Sequence, residues 1–188
     1  MKETLLTMIA LLSIPFAYSQ TDIKEVSKSD SIRFEKIIKE STDSLKQVLT
    51  SKEYLNEAEK KVSIEFASDT LTISKRFELY VAQDYSDYGM KTASLKMLEA
   101  YEKLLNKYYR MLLVALNPED REILKVTQRN WIKYRESEKQ MNELISKDNY
   151  SGGGSIQVLF VLSREIEMTQ NRVIEFYNYI ERLNINKE

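Results

Sequence analysis

Apolar side chains recur at three- and four-residue intervals from about residue 30 to the end of the chain, the spacing of a helix face. The clearest run is Ile156, Leu159, Ser163, Ile166, Gln170, Val173, Tyr177 and Ile180. It predicts a helix over about 155–184, with Ser155 as its cap. A second stripe of Leu95, Leu98, Tyr101, Leu105, Tyr108, Leu112 and Ala115 predicts a helix over about 91–116. Between them, Leu124, Thr127, Trp131, Tyr134, Met141 and Ile145 share one face of a helix ending near 146. Pro118 suits its first position, and Glu119 and Asp120 suit the positive end of its dipole.

The pattern continues toward the N-terminus. Phe34, Ile37, Ile38, Leu45, Val48 and Leu49 predict a helix from about 30. Thr50-Ser51-Lys52-Glu53 reads as a capping box that restarts a helix at 51, with Leu55, Ala58, Val62 and Phe66 on its inner face. Ser68-Asp69 reads as the cap of a further helix holding Ile73, Phe77 and Tyr80, which Gly89 ends. Residues 20–31 are polar, and the only strand-like alternation is the short Val62–Phe66 run. The connections are short, so successive helices return antiparallel. The fold class expected is all-α: an antiparallel bundle of three core helices over 91–184, with an N-terminal helical extension over 20–90 packed on it as one unit. Aromatic side chains favour such a bundle over a two-stranded coiled coil, whose seam takes aliphatic residues at strict heptad spacing.

Residues 1–19 have a different pattern. Lys2 precedes the apolar run Leu5–Phe16, and Ala17-Tyr18-Ser19 carries small residues at the −3 and −1 positions. That is a secretory signal peptide in three parts. The run is shorter than the roughly 20 residues a membrane span needs, so the expected protein is periplasmic or secreted, with no membrane contact after cleavage.

Composition narrows the chemistry. The chain contains no histidine and no cysteine. This removes Ser-His-Asp triads, Cys-His pairs, disulfides and His- or Cys-based zinc sites. Twenty-eight basic residues balance 29 acidic ones to a net charge of −1, which is the balance of solvated helix faces and not of a nucleic-acid binder. Glu165 and Glu167 are two apart and face different sides of a helix, so they do not form the spaced pair that glycoside chemistry requires. No carboxylate spacing marks a metal site. The expected protein is not an enzyme and uses no cofactor or metal.

Four short motifs remain, in order along the predicted core helices. They are Leu105-Asn106 with Tyr109; Gln128-Arg129 with Trp131, Ile132, Tyr134 and Arg135; Gly153-Gly154-Ser155; and Thr169 with Arg172. With a signal peptide ahead of them, these residues resemble the lysozyme inhibitor LprI-like family of small exported helical proteins. The resemblance spans about 85 of the 188 residues. It implies a lysozyme-like protein as partner. It also implies two cysteines flanking the glycine loop, which this chain replaces near Lys139 and Arg164, leaving loop rigidity to packing.

The motif residues divide into two expected roles. Leu105, Asn106, Tyr109, Gln128, Trp131, Tyr134, Arg135, Thr169 and Arg172 read as framework. Trp131 and Tyr134 would face the core. Arg135 and Arg172 would pair with Glu99, Glu102, Glu165 or Glu175. Asn106 and Gln128 would bond across helices or to loop backbone. Tyr150, Ser151, Gly152, Gly153, Gly154 and Ser155 read as the partner-binding loop: an aromatic anchor, small polar donors, and backbone able to approach a cleft closely. The functional reading is a muramidase inhibitor acting by steric occlusion; the alternative is an envelope scaffold with another protein partner.

Overall fold

Scarcity of breakers becomes helix length. A computed structural model describes residues 26–185 of the chain and contains six helices and no strand among them: α1 (Lys28–Thr50), α2 (Glu57–Gln83), α3 (Asp87–Ala115), α4 (Arg121–Ile145), the single turn α5 (Asp148–Ser151) and α6 (Ile156–Ile185). The all-α class expected from periodicity is what the chain forms. The signal peptide read over 1–19 lies outside the described residues. No helix among those described is long and apolar enough to cross a membrane.

Local hydrogen bonding moves several expected boundaries. α2 begins at 57, not 51. Asn56 accepts from the Glu59 amide at 2.9 Å, and the Glu59 carboxylate accepts from the Leu55 amide at 2.6 Å. That reciprocal pair satisfies the helix's free donors where Ser51 and Glu53 do not. Ser68 does not start a new helix, because its hydroxyl, like those of Thr70 and Thr72, donates back to a carbonyl one turn earlier. A hydroxyl engaged in this way lets the helix continue. Gly89 does not end a helix either; it lies in the first turn of α3, where its amide donates to the Ser86 cap at 3.1 Å. A Cβ there would strike the Asp84 carbonyl. α4 starts at Arg121 and not at Pro118, since residues 117–120 first form a turn closed by Asp120 N to Asn117 O at 3.1 Å.

The core is the seam between α3 and α6. Leu98, Tyr101, Leu105, Tyr108 and Leu112 from α3 meet Leu162, Val173 and Phe176 from α6, all fully buried. α3 and α6 run parallel, because α4 carries the chain back between them. Phe66 of α2 closes the seam, stacked on Tyr177 at 4.0 Å and edge-on to Tyr108 at 5.6 Å. Lys107 ties α3 to α2 through Glu65 at 2.6 Å and Asp69 at 2.5 Å. α1 packs chiefly on α2, through Phe34 against Tyr80 and Arg76 to Glu35 at 2.7 Å.

Two expected faces are wider or narrower than the pattern implies. α6 touches α2, α3 and α4, so its buried surface includes Leu162, Glu165, Thr169, Arg172 and Phe176, while Ser163 on the expected stripe is exposed. α4 lies at the edge, against α6. Its fully buried residues are Leu124 and Gln128. Thr127, Tyr134, Met141 and Ile145, expected on the core face, are exposed.

Candidate functional site

The glycine loop closes the end of the bundle where α4 stops and α3 and α6 begin. The α5 turn ends at Gly152, and Gly152, Gly153 and Gly154 have φ of 76°, 69° and 94°. Three successive residues in left-handed conformation are accessible at low cost only to glycine. At Gly153 a Cβ would also run into the Asp148 carboxylate. The turn is braced from within: the Ser151 hydroxyl donates to Ser146 O at 3.0 Å and accepts from the Gly153 amide at 3.2 Å. Ser155, expected to cap α6, donates its hydroxyl to Asp87 at the start of α3. Tyr150 is 64% exposed, and Gly152, Gly154 and Ser155 are exposed beside it.

About three to five turns below lies a polar cluster built from the other motifs. The Arg135 guanidinium, from α4, donates to Glu102 of α3 and lies 3.4 Å from the Thr169 hydroxyl of α6. Arg172 of α6 donates through Nε to Gln128 Oε1 at 3.0 Å and through Nη1 to Glu175 at 2.5 Å. Half-buried Trp131 lies between the two guanidiniums, 4.6 Å from Arg135 and 5.8 Å from Arg172, and Arg172 also covers Phe176 at 4.4 Å. Such cation–π contacts gain when desolvated. Gln128 Nε2 and Arg172 Nη2 are buried without an acceptor among the described residues. Five motif residues therefore meet at one junction of α3, α4 and α6.

The remaining framework residues are scattered. Leu105 and Tyr109 are in the α3–α6 core. Asn106, expected to bond across helices, donates to Glu102 O on its own helix at 3.0 Å. Tyr134 is half-exposed on the outer face of α4. Between the cluster and the loop, Lys139 pairs with Glu165 at 3.3 Å and Arg164 with Glu138 at 3.9 Å. These two ion pairs join α4 to α6 where the family resemblance implies a disulfide, so charge as well as packing holds the loop. Neighbouring-residue ion pairs across helices were not foreseen; a basic residue at 139 or 164 with an acid beside its opposite number was the available signal.

Among the described residues no group of carboxylates is arranged to hold a metal ion. Glu165 is buried against Lys139 and Glu167 is exposed beside Arg164, so the two do not converge. The arrangement is a rigid frame presenting a short exposed loop.

The model of the family described as lysozyme inhibitor LprI matches residues 81–176, just over half of the chain. The chain belongs to the LprI lysozyme inhibitor family. No curated protein and no solved structure matches it. The LprI match starts in the last turn of α2 and ends at Phe176 in α6. It therefore takes in the polar cluster, the two ion pairs and the glycine loop, and leaves out α1 and most of α2.

Proposed function

We propose that this chain is an exported, non-enzymatic binding protein that inhibits a lysozyme-like muramidase by occlusion, and that residues 150–155 enter the sugar-binding cleft. Family membership carries the inhibitor reading. The choice of segment is supported by an exposed Tyr150 next to three left-handed glycines. A loop already held in shape spends little ordering entropy on binding, and glycine lets its backbone approach cleft walls closely. The exported location follows from the signal-like residues 1–19, and no cofactor has a role in steric blocking.

The test is protection of cell walls. Protein lacking residues 1–19 should slow lysis by lysozyme in proportion to the fraction of enzyme bound. A variant with residues 150–155 replaced by an unrelated six-residue turn should keep its helical melting curve and lose protection. Absence of protection at large molar excess over several lysozyme types would remove the inhibitor reading. Full protection by the loop-replaced variant would move the contact elsewhere on the surface.

A further inference from the structure

One cation stands beside the glycine loop, and the fold gives it no work. Lys147 is exposed at the cap position of the α5 turn, where its side chain makes no capping bond. Cap positions favour Ser, Thr, Asp or Asn, whose oxygen takes up a free amide; an ammonium has no acceptor to offer. Among the described residues Lys147 enters no ion pair. A residue that breaks a local folding rule without a compensating contact marks a functional position.

The acids beside the loop are placed differently. Asp87 accepts from the Ser155 hydroxyl. The Asp148 carboxylate lies against Gly153, 2.0 Å from where a Cβ would stand. That leaves the Lys147 ammonium as the charge the loop offers to a partner. Tyr150 belongs to the same turn: its amide and that of Ser151 donate to Lys147 O at 2.9 and 3.0 Å. Residues three and four apart on a helical turn are neighbours, so ammonium, ring and glycine backbone are presented together.

The chemistry of the proposed partner says what the ammonium meets. Cleaving a glycosidic bond takes two carboxylates, about 5–10 Å apart across the cleft. A segment that fills the cleft strips water from both of them. Tyr150, Ser151, Gly152, Gly153, Gly154 and Ser155 carry no charge, and a buried carboxylate left without a partner charge is costly. A cation that enters with the loop removes that cost. Resting on the muramidase reading above, we propose that Lys147 is a specificity determinant of the loop, and that its ammonium pairs with the catalytic carboxylates of the enzyme. A cleft without such a pair gives Lys147 nothing to bind, so the partner is an enzyme of this acid chemistry and not a general envelope protein.

The test is binding of the chain lacking residues 1–19 to a retaining lysozyme and to the same enzyme with its catalytic Glu replaced by Gln. Lys147 is exposed, so its variants should keep the melting temperature. Lys147→Gln should weaken binding to the intact enzyme by at least about tenfold, and Lys147→Glu by about a hundredfold or more. Lys147→Arg should stay within about threefold of wild type, because it keeps the charge. Against the Glu-to-Gln enzyme the loss on Lys147→Gln should shrink, as coupled partners require. The acid of such a pair titrates at about pH 6, so wild-type affinity should fall about tenfold from pH 7.5 to pH 5, while the affinity of Lys147→Gln stays level. Lys133→Gln, an exposed lysine about three turns from the end of α4, should behave as wild type throughout. Lys147→Gln binding as tightly as wild type, or losing equally against both enzymes, would overturn the proposal and leave the inhibitor reading in place. A wild-type chain that binds no muramidase would remove both.

Discussion

α3 and α4 are helices of 29 and 25 residues that belong to the same three-helix core, yet α3 buries ten residues and α4 two. α3 is held by apolar and aromatic packing. α4 is held by named side-chain bonds: Gln128 to Arg172, Arg135 to Glu102, Lys139 to Glu165 and Glu138 to Arg164. Apolar burial is strong and non-directional. Buried polar bonds add little net stability but tolerate few geometries. The contrast explains why the recurring motif residues Gln128, Trp131, Arg135, Thr169 and Arg172 gather where α4 docks. They set the register of an edge helix that has little core of its own, and with it the position of the loop that follows.

The largest expected effect is alkaline and belongs to the α3–α6 seam. Burial holds the Tyr101, Tyr108, Tyr109 and Tyr177 hydroxyls above their ordinary pKa, and Asp69 and Glu65 push Tyr108 further in the same direction. In the unfolded chain these groups lose their protons near pH 10. Above that pH the folded state binds more protons than the unfolded one, so stability falls as pH rises. The loss approaches about 1.4 kcal/mol per pH unit for each tyrosine. Below pH 10 their contribution is constant. Urea titrations from pH 8 to 11.5 should show a plateau followed by this decline. A flat profile to pH 11.5 would contradict the seam's role.

Next in size, Phe176→Ala should cost about 4 kcal/mol in urea unfolding, because a fully buried ring is replaced by a cavity between α3 and α6. Arg172→Met keeps most of the side-chain volume and removes the bonds to Gln128 and Glu175. Breaking a buried hydrogen-bonded charge network costs about 2–3 kcal/mol. If α4 depends on polar bonds, amide exchange should quicken in α4 more than in α3; uniform quickening would erase the contrast. The smallest effect is at the two ion pairs nearer the loop. Lys139→Gln with Arg164→Gln should lower global stability by less than about 1 kcal/mol, because these pairs are partly exposed. The deficit should fade at 1 M salt, where screening reaches about 3 Å.

The three long core helices and the α3 face were legible because α3 is backed on two sides and its buried residues keep one period, whereas the break expected at Ser68 is absent from the single helix α2. α4 misled the periodicity because it owns two stripes about a quarter-turn apart, and a stripe drawn through Leu124, Tyr134 and Met141 merges them. The boundary at 56 was missed because Asn56 with Glu59 competes with Ser51 and Glu53, and the choice between them depends on where α2 docks: the Asn56 amide also donates to Asn184 O at the far end of α6, at 2.9 Å. Arg135 and Arg172 with acidic partners could be anticipated from the cost of burying a lone guanidinium. Their shared contact with Trp131 could not, since it requires Arg172 of α6 to dock beside Trp131 and Arg135 of α4. The glycine loop was conspicuous in sequence because three adjacent glycines have few uses other than a run of left-handed residues.

The measurement that bears most directly on the division between frame and loop is the affinity of Tyr150→Ala for lysozyme, taken beside its melting temperature. Tyr150 is exposed and outside both the seam and the polar cluster, so its removal should leave stability within about 0.5 kcal/mol. As an aromatic anchor it should weaken binding by at least about tenfold. Unchanged affinity in a fully folded variant would contradict the assignment of the loop as the contact and return attention to the exposed helix faces.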